Sequence, residues 1–475
     1  MFEDKSISKI ISLIQSKEVS VKEVVEYYLK RIKKYNSTLN AIVLQEDERK
    51  ILDEANSIDK KDQSKEKPLA GLPMACKDLF DIEGLPSTYG YPDFKNNIAK
   101  KNSLIVDRLK KNGAIIIGKT NTAELGVGGH TTNRLFGPTS NAYNIFKSAA
   151  GSSGGAGSAV ASGLLPFADG TDMMGSCRAP AAYANIYGFR PTTGLIPTDR
   201  SSENRVDNFP ILTSPGCFAK TPEDMSILLD CVVGADPLDP FSISLNTSFK
   251  EHLKNKIEFS NIKVCWLSDL NGAYNFEHGI IEMCENKLKD LNNHNLEIEP
   301  LKSKINSNDL WECWTTLRAK SIFEDTISMN IDDIDKMTPQ AIWEYNKGEK
   351  VNKEDINKAL KQKLNCVKQI DEIFNKYDFL ILPSAQVFPF DKNLQYPNQI
   401  NGKQLDTYHR WIEVFIMSSL FDLPTITVPV GFNKTGLPMG MQIIAKKSDD
   451  LKLLSFAKSY EECFNFSKIK PKLSI

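Results

Sequence analysis

Residues 151–178 read GSSGGAGSAVASGLLPFADGTDMMGSCR. The stretch holds two loops rich in small residues, 151–157 and 169–176, on either side of the apolar run AVASGLLPF. Glycine permits backbone conformations closed to other residues, and serine supplies a hydroxyl that can attack carbon or carry a proton. A flexible linker does not usually enclose such an apolar run. We therefore interpret the stretch as a candidate catalytic centre.

The composition is that of an ordinary globular protein. The chain has 475 residues, of which 41% are hydrophobic and 25% charged, and its net charge is -1. A chain without a basic surplus has no general attraction for nucleic acid or anionic lipid. The nine cysteines are scattered and the five histidines do not pair at ligand spacing, so we expect reduced thiols and no metal site.

The N-terminus lacks the charged and apolar regions of a signal peptide, and no stretch is long enough to span a bilayer. We therefore expect a cytoplasmic protein, a monomer or homodimer, with no membrane or nucleic-acid partner and no cofactor.

Helical and strand patterns alternate along the chain, which predicts an α/β fold. A capping box at 20–23 opens a helix over 21–34, and a second helix over 102–112 is closed by Gly113 and followed by the apolar strand 114–117. Later strands are predicted at 262–267, 379–382, 425–430 and 440–445, with a turn at 433–436 between the last two. The charged run 59–67 is predicted to be a solvated loop.

The sequence argues against two functional templates for the small-residue loops. A phosphate-binding loop needs Lys-Ser or Lys-Thr after its last glycine, but Ser158 and Ala159 follow Gly157. Residues 151–155 also match G-x-S-x-G, which would make Ser153 the nucleophile of an α/β-hydrolase-type esterase. That elbow requires a preceding strand, and residues 141–148 have the composition of a loop. The elbow interpretation is weakened but stays open.

The third template places the nucleophile at Ser176, after a tight turn whose backbone N–H groups can converge on an oxyanion. Its base would be Lys77, which lies within the apolar run 74–79. A free lysine has a pKa of about 10.4, so it acts as a base near neutrality only if burial lowers that value. Taken alone, Lys77 is better explained as an edge residue or as the partner of Asp78.

A series of linked motifs favours Lys77 as the base, because together these motifs resemble the amidase signature family. Lys77 and Ser152 are 75 positions apart, and Ser152 and Ser176 are 24 apart, as in that family. Further similarity lies at 38–43, 234–237 and 423–444. The motifs are Lys77-Asp78, Gly118-Lys119-Thr120-Asn121 with Glu124, Gly151-Ser152-Ser153-Gly154-Gly155, Gly170-Thr171-Asp172 with Gly175-Ser176, and Arg178 with Pro180-Ala181-Ala182.

The resemblance implies a Ser-cisSer-Lys triad. By it, Ser176 attacks the amide carbonyl, Ser152 on a cis peptide relays the proton, and Lys77 accepts the proton. The oxyanion hole would consist of backbone N–H groups of Met173, Met174, Gly175 and Ser176. Supporting roles would fall to Ser153, Thr171, Asp172 and Arg178.

The resemblance also implies a single amidase domain over 1–475, with a large mixed, mostly parallel β-sheet covered by helices on both faces. Within it we expect a signature core at 60–235 with the triad and a variable helical region at 238–350 that covers the substrate pocket. Residues 351–475 would complete the sheet.

The sequence departs from the family pattern at Met174, Ala150 and Ala142, where two glycines and a proline are usual. Met174 matters most, since it stands in the oxyanion loop. A positive φ at Met174 would strain that loop, whereas any other conformation would let its side chain line the pocket.

The favoured function is a cofactor-free amidohydrolase that cleaves a small-molecule carboxamide through an acyl-Ser176 intermediate and releases ammonia or an amine. A second hypothesis is the glutaminase component of a tRNA-dependent amidotransferase. Such components carry an aspartate about a dozen residues before the C-terminal Leu-Pro, where this chain has Ile412 with Glu413 beside it. A third is a silenced binding protein, prompted only by Met174.

Two segments are candidate walls of the substrate pocket, residues 300–350 and residues 408–411. Within the second, His409 or Arg410 could meet a substrate carboxylate, although surface positions on a helix explain both residues better.

Overall fold

The computed structural model describes residues 2–61, 67–200, 211–331 and 333–473. Its helices are α1 Ile7–Gln15, α2 Val21–Leu39, α3 Glu48–Lys61, α4 Leu104–Lys111, α5 Gly154–Ala161, α6 Arg178–Ala184, α7 Pro222–Val232, α8 Phe249–His252, α9 Ile280–Asn292, α10 Ser307–Ser328, α11 Pro339–Glu349, α12 Lys353–Phe374, α13 Ile416–Leu420 and α14 Asp450–Phe464. Its strands are β1 Ile42–Gln45, β2 Pro73–Lys77, β3 Ile115–Thr120, β4 Ala168–Asp172, β5 Tyr187–Arg190, β6 Ser214–Ala219, β7 Lys263–Trp266, β8 Glu297–Pro300, β9 Phe379–Pro383, β10 Gln399–Ile400, β11 Lys403–Gln404, β12 Thr425–Phe432 and β13 Pro438–Ala445.

The predicted α/β class and large mixed sheet are confirmed. Within the described ranges, eight strands form the main sheet in the order β4-β6-β5-β12-β13-β9-β7-β8. Parallel pairing is less extensive than expected: β7 is parallel to β8 and β9, and the five other pairs are antiparallel. The β12–β13 hairpin explains part of this, because a short turn can join only antiparallel neighbours.

A smaller sheet has the order β1-β3-β2, with β2 and β3 parallel. One hydrophobic cluster runs from Phe2 to Phe466 and includes residues of both sheets. Residues 238–350 supply the strands β7 and β8 as well as helices.

The capping box at the start of α2 is confirmed. The Ser20 hydroxyl accepts the Glu23 N–H at 3.1 Å, and the Glu23 carboxylate accepts the Ser20 N–H at 2.8 Å. The predicted α4 and β3 are also present, and Gly113 adopts a φ of 91° just after α4. A left-handed glycine at this position ends a helix without the steric cost of a Cβ atom.

The expected loop at 59–67 is wrong at its start, because residues 59–61 complete α3. The Asp59 carboxylate accepts the N–H groups of Val21 and Lys22 at 2.8 and 3.1 Å. It thereby satisfies free donors at the start of α2, where a negative charge is favourable. Residues 62–66 of the predicted loop lie outside the described residues.

Three chain segments converge beside the sheets. Lys77 ends β2, residues 150–153 lead into α5, and residues 172–177 join β4 to α6. Because β2 lies next to both β3 and β4, its last side chain meets the two loops. Across the described ranges, no helix combines the length and apolarity that crossing a membrane demands.

Candidate active site

Lys77 is completely buried at the end of a strand whose neighbouring residues are also buried. Its ammonium nitrogen lies 2.7 Å from Ser152 Oγ and 2.8 Å from Thr171 Oγ1, and its backbone N–H donates to Asp169 at 2.7 Å. No carboxylate among the described residues forms a salt bridge with it. Burial disfavours the charged form and lowers the pKa of Lys77 to about 7.

A second buried lysine, Lys119, lies on the neighbouring strand and is paired with a carboxylate. The Lys119 ammonium contacts the Asp78 carboxylate at 3.1 Å and Ser87 Oγ at 2.9 Å, and both charged side chains are fully buried. Lys119 therefore forms a structural ion pair. The interpretation of Lys77 as the partner of Asp78 is wrong, because Lys119 occupies that position.

Ser152 lies in a tightly packed loop. The Gly151–Ser152 peptide bond is cis, and Ala150 has a φ of 56°. A Cβ atom at Gly151 would come within 2.7 Å of backbone atoms of His130 and Thr131, so only glycine fits there. The Ser152 side chain, 1% exposed, is turned towards Lys77.

Ser153 points away from the pocket. Its N–H donates to the Ser176 carbonyl and its hydroxyl to the Thr171 carbonyl, both at 3.3 Å. Residues 141–148 form no strand, so the strand–turn–helix context of a nucleophile elbow is missing. The esterase interpretation based on Ser153 is therefore wrong, and Ser153 ties together the loops that carry Ser152 and Ser176.

The loop 172–176, here called the oxyanion loop, is folded around the Asp172 carboxylate. Asp172 accepts the N–H groups of Gly175 at 2.9 Å and Cys177 at 3.0 Å. The Arg178 guanidinium grips both carboxylate oxygens at 2.8 and 3.0 Å. Burial alone would raise the pKa of Asp172, but Arg178 and Arg190 outweigh it and lower the pKa to about 2. The carboxylate therefore stays charged over a wide pH range.

The backbone N–H groups of the oxyanion loop differ in whether they have an acceptor. The Gly175 N–H is directed at Asp172. By contrast, the N–H groups of Met173, Met174 and Ser176 have no acceptor within the described part of the chain. Gly175 takes a φ of 88° and its α-carbon lies against the Phe415 ring, which a Cβ atom would overlap. Gly175 therefore shapes the turn, and the other three residues have free donors.

Met174 does not adopt a positive φ. Its side chain is 4% exposed and lines the cavity, and its sulfur accepts the indole N–H of Trp314 at 3.2 Å. The departure from the family pattern thus places a side chain in the pocket without straining the turn.

A cavity of about 560 Å³ opens over these groups. Ser152, Thr171 and Ser176 lie in its wall. Helix α10, which falls within the candidate wall segment 300–350, contributes one side of the cavity. Apolar side chains make up much of the wall, including Leu79, Phe80, Leu125, Val127, Met173, Met174, Leu212, Ile322 and Ile412.

The expectation for residues 408–411 is wrong, because Ile412 and not these four residues lines the cavity. His409 is 1% exposed and stacks on Trp311 at 4.9 Å. Arg410 pairs with Asp406 at 2.6 Å and Glu413 at 3.0 Å. His409 is packed against aromatic rings and Arg410 is held in ion pairs, so neither side chain faces the cavity.

Sequence reasoning missed the pocket walls formed by Leu79, Leu125 and Val127, and it missed the contact between Met174 and Trp314. The apolar wall residues look like ordinary core residues in the sequence. Trp314 is 140 positions from Met174, and only the path of the chain brings the two together.

A family model described as Amidase matches residues 23–454. The chain belongs to the amidase family. It is 30% identical to an acylamidase of Rhodococcus erythropolis, over 98% of this chain and 97% of that protein. It is 28% identical to a component of the glutamyl-tRNA(Gln) amidotransferase of Saccharolobus solfataricus, over 98% and 97% of the two chains.

The fold of this amidase superposes on that of a bacterial aryl acylamidase of the amidase signature enzymes with a TM-score of 0.89. The two are 25% identical, and the match covers 98% of this chain and 97% of the other. The resemblance noted in the sequence is confirmed. The protein is a hydrolase of carbon–nitrogen bonds in linear amides.

The buried pair Asp172–Arg178 generates a prediction about stability. Replacing Arg178 with Met leaves the Asp172 carboxylate buried without its hydrogen-bonded cation, and only the more distant Arg190, at 3.9 Å, remains. Removing one partner of a buried pair typically costs about 3 to 5 kcal/mol, and we expect a loss of that size in the free energy of unfolding, measured by urea denaturation. Lys263→Met is the control, since its pair with Glu297 is exposed and such pairs contribute at most about 1 kcal/mol. Equal losses in the two variants would contradict the structural role given to Arg178.

Proposed function

We propose that this amidase hydrolyses small apolar amides through an acyl-Ser176 intermediate, with Ser152 as proton relay and Lys77 as base. The observation that carries the proposal is a buried lysine without a carboxylate partner among the described residues, 2.7 Å from a serine hydroxyl in the wall of the cavity. Lys119 shows that this chain pairs a buried lysine with a carboxylate where it needs only a structural cation.

In the first step Ser176 Oγ attacks the carbonyl carbon, and its proton passes to Ser152 Oγ as the Ser152 proton moves to neutral Lys77 Nζ. A neutral amine can donate to Thr171 and still accept from Ser152 through its lone pair. The same path then returns a proton to the leaving nitrogen, which departs as ammonia or an amine. Water then attacks the acyl carbon, gives up its proton along the same residues and releases the carboxylic acid from Ser176.

The developing oxyanion would be held by the N–H groups of Met173, Met174 and Ser176, which have no acceptor among the described residues. Gly175, expected to be one of four donors, is not part of the oxyanion hole in this proposal, because Asp172 accepts its N–H. In this proposal Asp172 and Arg178 fix the loop, Thr171 orients the lysine and Ser153 joins the two serine-bearing loops.

The apolar side chains in the cavity wall support an alkyl or aryl amide as the substrate, and the names of the acylamidase relatives favour the same class. The relatives also include components of glutamyl-tRNA(Gln) amidotransferases, so a glutaminase role is the alternative. A glutamine ammonium needs a carboxylate. Ile412 lines the cavity where such a group is expected, and Glu413 is bound to Arg410 at 3.0 Å and Gln386 at 3.3 Å. This arrangement favours apolar amides over glutamine.

We also propose that the enzyme works in the cytoplasm, as a monomer or homodimer. All nine cysteines are free thiols and eight are buried, a state that a reducing compartment maintains.

The proposed nucleophile can be identified by labelling. Treatment with a fluorophosphonate should modify Ser176 alone, because the reagent mimics the attacked carbonyl and only an activated hydroxyl reacts. Peptide mass mapping locates the adduct, and Ser153→Ala should label like the wild type. Labelling that survives Ser176→Ala would contradict the assignment.

The proposed base predicts a pH profile. Lys77 accepts a proton only when neutral, so with its pKa lowered to about 7 the enzyme should be inactive in acid. Its kcat/KM should rise with a midpoint about pH 7 and level off above it, as measured by release of an aryl amine. Lys77→Ala should lose about 10²- to 10⁴-fold in kcat. A midpoint above pH 9, or activity retained in Lys77→Ala, would remove this lysine from the mechanism.

The apolar wall predicts substrate preference. An N-acyl anilide should exceed glutamine in kcat/KM by about 10²-fold or more, since Ile412 puts an apolar side chain where a glutaminase is expected to have the carboxylate that binds the glutamine ammonium. Amine or ammonia release measures both substrates. Ile412→Asp should lower anilide turnover, and Ile412→Leu, which keeps the wall apolar, should preserve it. A preference for glutamine by the wild type would favour the amidotransferase role.

A further inference from the structure

Met174 is a side chain in a place where the family pattern has glycine, and its thioether has a specific partner. The indole nitrogen of Trp314 lies 3.2 Å from Met174 Sδ. Trp314 is completely buried and Met174 is 4% exposed. The contact is therefore shielded from water, which would otherwise compete for the indole N–H.

The contact satisfies a donor that has no other acceptor among the described residues. An indole carries one N–H and accepts no hydrogen bond, and a buried N–H without an acceptor is costly. Trp266, another buried tryptophan with its N–H away from water, lacks such an acceptor within the described ranges. Trp314 and Met174 are thus matched to each other.

The oxyanion loop is fixed on its other sides as well. Asp172 holds the Gly175 N–H, and the Phe415 ring fills the space against the Gly175 α-carbon. These contacts hold the end of the loop nearest Ser176. The Trp314 contact holds Met174, which lies between Gly175 and Met173 in the middle of the loop.

We propose that the Trp314 indole positions the N–H donors of Met173 and Met174 by holding the Met174 side chain, so that Trp314 is a positioning residue for amide hydrolysis. The inference rests on the proposed function of the oxyanion loop. Trp314 lies on α10, which also supplies Arg318 and Ile322 to the cavity wall. The helix that contacts the substrate thus also fixes the loop that stabilises the transition state.

The role is tested with Trp314→Phe, which removes the donor, and Met174→Leu, which removes the acceptor at nearly constant volume. Each should lower kcat about tenfold, less than the 10²- to 10³-fold typical of deleting an oxyanion donor outright, with KM changed less than about twofold. The double variant should be no slower than the slower single variant, because both changes remove one interaction. Met174→Leu serves alone if Trp314→Phe does not fold.

Trp266→Phe is the matched control, because it makes the same change at a buried indole that has no acceptor to lose among the described residues. Its kcat should stay within about twofold of the wild type, even if its melting temperature falls as far as that of Trp314→Phe. A second readout separates positioning from packing. A trifluoromethyl ketone, which forms an oxyanion at Ser176, should bind both test variants about tenfold more weakly. In the inactive Ser176→Ala background, adding Met174→Leu should leave the affinity for an intact anilide unchanged.

Wild-type kcat in both test variants, additive losses in the double variant, or an equal kcat loss in Trp266→Phe would each overturn the proposal. Failure of the proposed function is recognised separately, by turnover that survives Ser176→Ala. If Ser176→Ala is inactive and the Trp314 and Met174 variants are fully active, only the positioning role is refuted.

Discussion

The structure of the active site depends on one buried carboxylate, Asp172. It neutralises Arg178 and draws the N–H groups of Gly175 and Cys177 to itself. Arg178 in turn donates to the Phe415 carbonyl, to Gln442 of β13 and to Ser419 of α13. The charge pair therefore joins the oxyanion loop to the middle of the main sheet and to the C-terminal part of the chain. A buried charge is tolerated only when it is fully paired and hydrogen-bonded, so this network allows few other arrangements.

Two buried lysines, one strand apart, show how the environment decides what a side chain does. Lys119 contacts a carboxylate at 3.1 Å and is structural. Lys77 contacts only hydroxyls through its ammonium nitrogen, as far as the described residues go. Burial therefore outweighs the attraction of the more distant Asp172 and Asp169, and the pKa of Lys77 falls to about 7. The same residue type gives a cation at one site and a candidate base at the other.

Helix α10 connects parts of the protein that the sequence keeps apart. It comes from the region that was expected only to cover the pocket, yet it packs on α11 and α12, forms a cavity wall and reaches the oxyanion loop through Trp314. Met174, which in the sequence looks like a defect in the family pattern, has a buried partner and a conformation that avoids positive φ. The hypothesis of a silenced site, which rested on Met174 alone, loses its basis.

The sequence by itself was sufficient for the α/β class, the capped helix α2 and the β12–β13 hairpin, and its resemblance to the amidase signature family implied the candidate triad. These features rest on local signals, such as capping residues, apolar periodicity and motifs with fixed spacing. The tertiary structure decided which lysine pairs with Asp78, that Ser153 faces away from the cavity, that the Gly175 N–H is held by Asp172, and that Ile412 rather than Glu413 lines the cavity. It also brought Trp314 to Met174. Each of these depends on contacts between residues far apart in the chain and on the direction of a side chain, and a linear pattern of residue types does not encode either one.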